Sequence, residues 1–315
     1  MPATGPVAMG APAANNVVVI DVGGTRIRCG GTQSGTVIGE VQQFSSNVLR
    51  TGDPIETLVK IVREFAVDHE LDNFDLVLGI PATLDRDLNA ILRINNIPAL
   101  LGLKLRSILE ERLSARVILE HDIVLQLIGE WVAGSARGIR SVLGVYSGTG
   151  LGGGFLLNGE SIRTNTTGVE LGHVPVRCDG RRCICGLTDC VEVYACGHHL
   201  VDWSEQFGVP VEELFLKEMP MFAEQLDQFL RDQAAAIAIA VTLLDPEVVV
   251  IGGGVIALPG FPLEKMIAMI RARLQSPEPA NSAKFVRTAL GELAAVYGGM
   301  HLASKPREPA ALANP

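Results

Sequence analysis

Three cysteines and a histidine share one stretch of this chain at the spacing of a metal site. Cys183 and Cys185 are one residue apart, Cys190 follows after four more, and His173 lies nine intervening residues upstream. Three soft thiolates and an imidazole form the Cys3His set of a structural zinc ion, and the loop from His173 is long enough to close a tetrahedron. Free buried cysteines are the alternative, but thiols clustered among glycine turns rarely serve packing alone. With four protein ligands such a zinc cannot activate water, so its expected role is to stiffen the loop that carries it. Cys178, in the same cysteine-rich stretch, is left without a role.

Three glycine loops have the makings of a nucleotide site. Asp21-Val22-Gly23-Gly24-Thr25 puts an acid at a strand end, two glycines that let a ligand approach the backbone, and a hydroxyl. Alone, that pattern is more often an ordinary hairpin turn. Two further loops tip the balance: Ser147-Gly148-Thr149-Gly150, continued by Leu151-Gly152-Gly153-Gly154, and Ile251-Gly252-Gly253-Gly254-Val255 after an apolar strand. Backbone N–H groups freed by glycine can cradle phosphates, Thr25 and Thr149 can add hydroxyl donors, and Asp21 can hold magnesium or its water. No Gly-Lys-Ser/Thr follows a glycine loop, and the G-x-G-x-x-G spacing falls between two strands rather than before a helix. Neither a P-loop nor a Rossmann reading applies.

A candidate base lies in Glu120-His121-Asp122, a polar triplet between a strand and a helix, where ligand crevices of α/β proteins form. A carboxylate there can accept a proton from a hydroxyl as a phosphoryl group arrives. Asp122 can equally be the N-cap of the following helix, and spacing alone leaves the two roles balanced.

These residues need a scaffold, and the hydrophobic periodicity supplies one. Val17–Asp21 and Arg26–Gly31 read as a hairpin, Pro54–His69 as an amphipathic helix, and Leu76–Ile80 as a buried strand stopped by Pro81. A helix at Leu103–Leu113, a strand at Arg116–Glu120 and a helix at Ile123–Val132 follow, and Gly134–Arg140 reads as a crossing between domains. Strand, glycine loop and strand recur at Ser141–Tyr146 and Gly153–Leu157, so the two halves open alike and the fold reads as a duplication. Met221–Leu244 is a long helix, Val248–Ile251 a buried strand and Glu292–Ala303 a small-residue helix.

The chain has 315 residues, 48% hydrophobic and 19% charged, enough apolar material for two domains. A net charge of −9 disfavours a polyanionic partner such as nucleic acid. The longest apolar run, Ala234–Leu244, is about half of the ~20 residues that span a bilayer, so no membrane partner is expected. Residues 1–16 and 304–315 read as flexible Pro- and Ala-rich tails. No signal peptide is recognisable, so the cytoplasm is the expected compartment.

The stretches Asp21–Thr25 (DVGGT), Gly168–His173 (GVELGH), Cys183–Glu192 (CICGLTDCVE) and Leu244–Val255 (LDPEVVVIGGGV), spread over almost the whole chain, resemble the ROK family of sugar kinases and repressors. The stretch from Leu244 to Met269 and the helix after Asp122 look most like the members acting on D-allose. The resemblance implies a two-lobed, actin-like and hexokinase-like (ribonuclease H-like) α/β fold with a cleft between lobes. One lobe would be residues 17–133 joined by the helix 292–303, the other residues 134–291 with the zinc loop. It further implies ATP and Mg2+, phosphoryl transfer to the 6-hydroxyl of a hexose, and a homodimer.

By position, the resemblance makes Asp122 the catalytic base and gives the same four zinc ligands. Its sugar contacts are Asn96, in a stretch similar to the family's Pro-Asn-Leu-Pro, with His121, Asp122, Glu170, His173 and Glu192. Asp21, Gly23, Gly24, Thr25, Gly148, Thr149, Gly150, Gly252, Gly253 and Gly254 fall to the nucleotide. Two positions depart from the family pattern: His121 where most kinases have Asn, and Asp189 where the pattern has glycine. The first bears on which epimer is accepted. His69, His198, His199 and His301 read as surface or helix positions. A family repressor would need a DNA-binding winged helix, yet the first strand starts at Val17 and no Lys or Arg precedes it. A catalytically dead sugar binder would lack the base, and Asp122 is present.

Overall fold

The computed structural model describes residues 16–162, 168–216 and 220–306. It separates into two compact units, one running up to Gly138 and again from Ala289, the other covering Ile139–Ile162 and Gly168–Thr288.

Along the chain the first unit contains β1 (Asn16–Val22), β2 (Arg26–Gln33), β3 (Thr36–Ser45), α1 (Val48–Thr51), α2 (Pro54–Asp68), β4 (Phe74–Ile80), β5 (Thr83–Leu84), β6 (Ile91–Arg93), α3 (Leu105–Leu113), β7 (Val117–His121) and α4 (Asp122–Val132). The second contains β8 (Ser141–Ser147), β9 (Leu151–Leu157), β10 (Glu160–Ser161), α5 (Gly197–Phe207), α6 (Pro220–Leu244), β11 (Val248–Gly252), α7 (Leu263–Arg271) and β12 (Lys284–Arg287). The chain then re-enters the first unit as α8 (Ala294–Ser304).

The main sheets repeat one topology, β3-β2-β1-β4-β7 in the first unit and β10-β9-β8-β11-β12 in the second. In each, the opening strands are antiparallel and the later ones add in parallel. The duplication anticipated from the two glycine hairpins is thus present as a repeated strand order.

In β1, Val18 and Ile20 face a core built with Leu58, Val62 and Phe65 of α2 and Leu105 and Leu109 of α3. Val17 and Val19 face the opposite core with Leu125 of α4 and Ala295 and Ala303 of α8. Side chains alternate along a strand, so a run buried on both faces reads as continuous valine and isoleucine. The second sheet packs Leu143, Val145, Val249 and Ile251 against α6 and α7.

The return of the chain is fixed by buried charge. Glu130 Oε1 accepts from the Ala289 and Leu290 amides at 2.8 and 2.9 Å, and its Oε2 accepts from the amide and hydroxyl of Ser135. At the far end of α8, Arg116 donates to the carbonyls of Ala303 and Lys305, carbonyls that a helix end would otherwise leave without partners. Ser304 and Lys305, grouped with a flexible tail in the sequence reading, are therefore held in place. Asn16, grouped with the other tail, is the first residue of β1, while residues 1–15 and 307–315 lie outside the described residues.

The unassigned elements were β3, α5, α7 and β12 among the longer ones. β3 is an edge strand with few buried positions, so its polar residues carry no clean alternation. β12 has only four residues, and α5 buries only Leu200 along its eleven, so neither carries a clear apolar period.

Between α4 and α8 the approach is set by absent side chains: a Cβ on Gly298 would overlap the Leu125 carbonyl, and one on Gly129 the Ala294 carbonyl. Alanine normally stabilises a helix interior over glycine by about 1 kcal/mol, but here the neighbour is backbone and cannot turn aside. Gly298→Ala should therefore lower stability in chemical denaturation by about 1–2 kcal/mol, since overpacking costs about 1–3 kcal/mol. A stabilised variant would mean that the helices separate freely.

Candidate active site

Two buried carboxylates meet at the carboxyl ends of the parallel strands of the first unit. Cross-strand register places Asp21 opposite Gly79 and Gly79 opposite Glu120, with Asp122 one residue past β7. Asp21 is 1% exposed and Asp122 is 8% exposed. A Cβ at position 79 would lie 2.8 Å from the Leu125 side chain, 3.3 Å from the Asp122 Cα and 3.5 Å from Asp21 Oδ1, so Gly79 lies between the two acids and packs against Leu125.

Asp21 Oδ2 accepts from Arg28 Nη1 at 3.2 Å and from Gln126 Nε2 at 3.1 Å, while its Oδ1 is buried with no hydrogen-bond partner. Burial, reinforced by the charge of Asp122, raises Asp21 to about 7 against the pull of Arg28 and Gln126. Burial also raises Asp122, opposed by His121 and by the Ile123 amide. His121 Nδ1 lies 3.1 Å from Asp122 Oδ1. Helix α4 begins at Asp122 itself, with His121 in the cap position and no side-chain cap bond. Asp122 is thus not the N-cap, and its carboxylate sits where the helix end favours negative charge.

The first glycine loop is held from behind. The Gly24 carbonyl accepts from the Ser46 hydroxyl and from Arg50, Gly23 N donates to Arg26 O, and Thr25 is exposed. Arg50 also donates to the Asn96 carbonyl at 3.0 Å, linking this loop to exposed Asn96.

In the second unit, one donor atom from each of His173, Cys183, Cys185 and Cys190 lies within 4.8 Å of the others. Cys185 and Cys190 sulfurs are 3.6 Å apart, and Cys183 Sγ is 3.7 Å from His173 Nδ1. A zinc tetrahedron with bonds of about 2.3 Å has edges of about 3.8 Å, so the donor set fits that ion. Burial and the neighbouring thiols push Cys190 up to about 12, so several thiolates would crowd here only with a cation among them. Cys178 is exposed and outside the group.

The position where the family pattern has glycine, Asp189, has φ +61°, the left-handed conformation glycine adopts readily. The turn is therefore kept. The Asp189 carboxylate accepts from Tyr194 and from the Gly180 and Arg181 amides, which hold it below the usual carboxylate range.

Beside the cluster, Glu192 Oε2 lies 3.7 Å from His173 Nδ1, and a Cβ at Gly150 would overlap the Glu192 carboxylate. Gly148–Gly150 closes the β8–β9 hairpin, and Ser147 accepts from the Val255 amide, joining it to the loop Gly252–Gly254. Exposed Glu170 precedes the 3-10 turn Leu171–His173.

Among the anticipated residues, then, Asp21, Gly23, Gly24, Thr25, Asn96, His121 and Asp122 belong to the first unit. The second unit brings together His173, Glu192, the three cysteines and the other two glycine loops, with Glu170 at the edge. Sequence reading missed Arg28, Gln126 and Arg50. Gln126 was legible, four residues after Asp122 on one helix face, and Arg28 faces Asp21 across the hairpin. Cys196, His198 and His199 also converge, although the histidines read as ordinary helix positions.

The raised Asp21 makes stability depend on pH. Between the ordinary 3.8 and about 7 the native state holds a proton that the unfolded chain has released. Its contribution is greatest in acid and declines as pH rises, levelling off above about 7. Denaturation of wild type and Asp21→Asn from about pH 4 to about pH 8 should show a difference that changes across this window; parallel curves would remove Asp21 as the source.

The chain is similar in sequence and in fold to known sugar kinases. A glucokinase of Halalkalibacterium halodurans is 29% identical over 308 residues, covering 90% of this chain and 93% of that protein. An N-acetyl-D-glucosamine kinase of Photobacterium profundum is 29% identical, covering 74% and 82%. The crystal structure of a ROK hexokinase from Thermus thermophilus shares the fold with a TM-score of 0.72 at 30% identity, covering 90% of this chain and 96% of that one. The ROK family model matches residues 17–306, and the chain belongs to the ROK family.

Proposed function

We propose that this ROK-family sugar kinase transfers the γ-phosphoryl group of ATP to the 6-hydroxyl of a hexose, with Asp122 as the base. The observation that carries this reading is the buried Asp122 carboxylate at the start of α4, beside Asp21. Its pKa is raised by burial, which makes it a stronger proton acceptor than a solvated aspartate once it is ionised. It takes the hydroxyl proton as the oxygen attacks phosphorus, and the bond to the ADP oxygen breaks.

The backbone of Gly23–Thr25, Gly148–Gly150 and Gly252–Gly254 supplies N–H donors for phosphate oxygens. Mg2+, when bound, neutralises phosphate charge, and the partnerless Oδ1 of Asp21 fits it to hold that ion or its water. Asn96, His121, Glu170, His173 and Glu192 are assigned to the sugar hydroxyls. Zinc in the Cys3His cluster is structural and fixes the segment from Glu170 to Glu192. His173 Nδ1 faces Cys183, which leaves Nε2 for the sugar.

For the sugar we infer D-allose, on the likeness of Leu244–Met269 and on His121. An imidazole in place of an amide beside the base changes the donor offered to a ring hydroxyl, and a lost buried hydrogen bond separates epimers strongly. Glucose and N-acetylglucosamine, named in the relatives, are the alternatives.

With ATP, Mg2+ and a panel of allose, glucose, mannose and N-acetylglucosamine, ADP release should be fastest with allose. Asp122→Asn should lower kcat by about 10²–10⁴-fold. No release with any sugar would end the kinase reading, and preference for glucose would end the allose assignment alone. His121→Asn should shift the allose-to-glucose ratio of kcat/KM toward glucose, and an unmoved ratio removes His121 from specificity. Stripping zinc, or Cys185→Ser, should raise the sugar KM roughly tenfold, about 1.4 kcal/mol of binding; an unchanged KM would uncouple the metal from the pocket.

A further inference from the structure

A second group of metal-ligating side chains stands at the start of α5. Cys196 precedes the helix, and His198 and His199 occupy its first turn. Their donor atoms lie within 4.8 Å of one another. Cys196 Sγ is 2.8 Å from His198 Nδ1 and 3.6 Å from His199 Nδ1, and the imidazoles stack with centroids 4.1 Å apart. Cys196 is fully buried, His199 is half-buried and His198 is exposed, so the group reaches from the interior to solvent.

The group also caps α5: the Cys196 thiol donates to the Glu192 carbonyl at 2.9 Å, and Cys196 and His199 form a capping box. Helix N-caps favour Ser, Thr, Asp and Asn, whose oxygens are good acceptors, whereas a thiol is a weak one. The ring of His199 is also oriented as a ligand would be. Its Nε2 lies 3.1 Å from the Val193 carbonyl, which only a protonated nitrogen can satisfy. Nδ1 then carries the lone pair, which accepts from the Cys196 amide at 3.4 Å and lies 3.6 Å from the Cys196 sulfur. A metal-binding histidine commonly donates its other ring N–H to a backbone carbonyl in this way, which fixes the tautomer.

We propose that Cys196, His198 and His199 form a second metal site, separate from the Cys3His cluster, for a borderline-soft divalent transition ion of the zinc class. One thiolate and two imidazoles select such an ion over Mg2+ or Ca2+, which take oxygen ligands. Three protein ligands leave a coordination position open, and exposed His198 makes the ion exchangeable, unlike one enclosed by four ligands. The site is bolted to the second glycine loop: the Gly197 amide donates to the Gly148 carbonyl at 2.8 Å, and a Cβ on Gly197 would overlap that carbonyl. Gln233 donates to both the Ala195 carbonyl and the Ser147 hydroxyl, so the residues flanking the loop and the site share one anchor. Occupancy stiffens the hinge between α5 and the loop Gly148–Gly150.

The test is a titration of Co2+ into the protein as purified, followed by the thiolate-to-cobalt charge-transfer band and by metal content per chain. Wild type should bind one more equivalent of Co2+ than His198→Ala, or bind it at least tenfold more tightly. Cys196→Ser should lose the corresponding charge-transfer intensity, whereas Cys185→Ser, which touches only the other cluster, should retain it. His198 is exposed, so its variant tests the site even if Cys196→Ser fails to fold. Equal stoichiometry and affinity in wild type and His198→Ala, or charge-transfer intensity undiminished in Cys196→Ser, would overturn the proposal.

Discussion

Asp21 and Asp122 share one buried corner of the first sheet, on either side of Gly79, and that shared burial constrains everything around them. Two carboxylates in a medium of low dielectric cannot both ionise without help, so the corner must hold a proton, a counter-charge or a cation. The surroundings offer partial answers: Arg28 across the hairpin, Gln126 on α4, His121 beside the base, and the positive end of α4. None of them cancels the burial, since Asp21 stays near neutrality in its titration and one of its oxygens has no partner. A group whose charge is incomplete in the free protein is suited to a cation that arrives with the substrate.

The second unit solves a different problem, that of ordering a long irregular segment. Between β10 and α5 there is no regular strand or long helix among the described residues, and backbone groups there must find partners elsewhere. Asp189 accepts from two amides and a tyrosine, and Arg177 bridges from the loop to Asp232 of α6 while lying over the Tyr194 ring at 4.3 Å. The aspartate found in place of glycine thus supplies acceptors that glycine lacks, at the cost of a left-handed backbone. The Cys3His donors converge on this same segment.

Much of this was legible in the sequence, for identifiable reasons. The central strands read clearly because they are buried on both faces, and the Cys3His donor group because three thiols so closely spaced around glycine turns seldom serve packing alone. Asp122 was ambiguous, since an acid between strand and helix serves equally as cap or base; the helix boundary places His121, not Asp122, at the cap position. Arg28 and Arg50 were not legible, because their partners lie across a hairpin or a loop at separations no local pattern encodes. Cys196, His198 and His199 were overlooked for the opposite reason. Adjacent residues on a helix normally point apart, and it is the non-helical cap position that turns the thiol toward both rings.

The return of the chain as α8 has a consequence for how the molecule is made. Val17, Val19 and Val77 of the first sheet are covered by a helix that is synthesised after the whole of the second unit. The first unit therefore cannot close its core while the chain is still emerging from the ribosome, although most of its residues are made first. The second unit is made before α8 and can begin to fold without it. Glu130 and Arg116 find their partners in this last segment only when it arrives, so completion of the N-terminal half is a late event governed by the far end of the polypeptide.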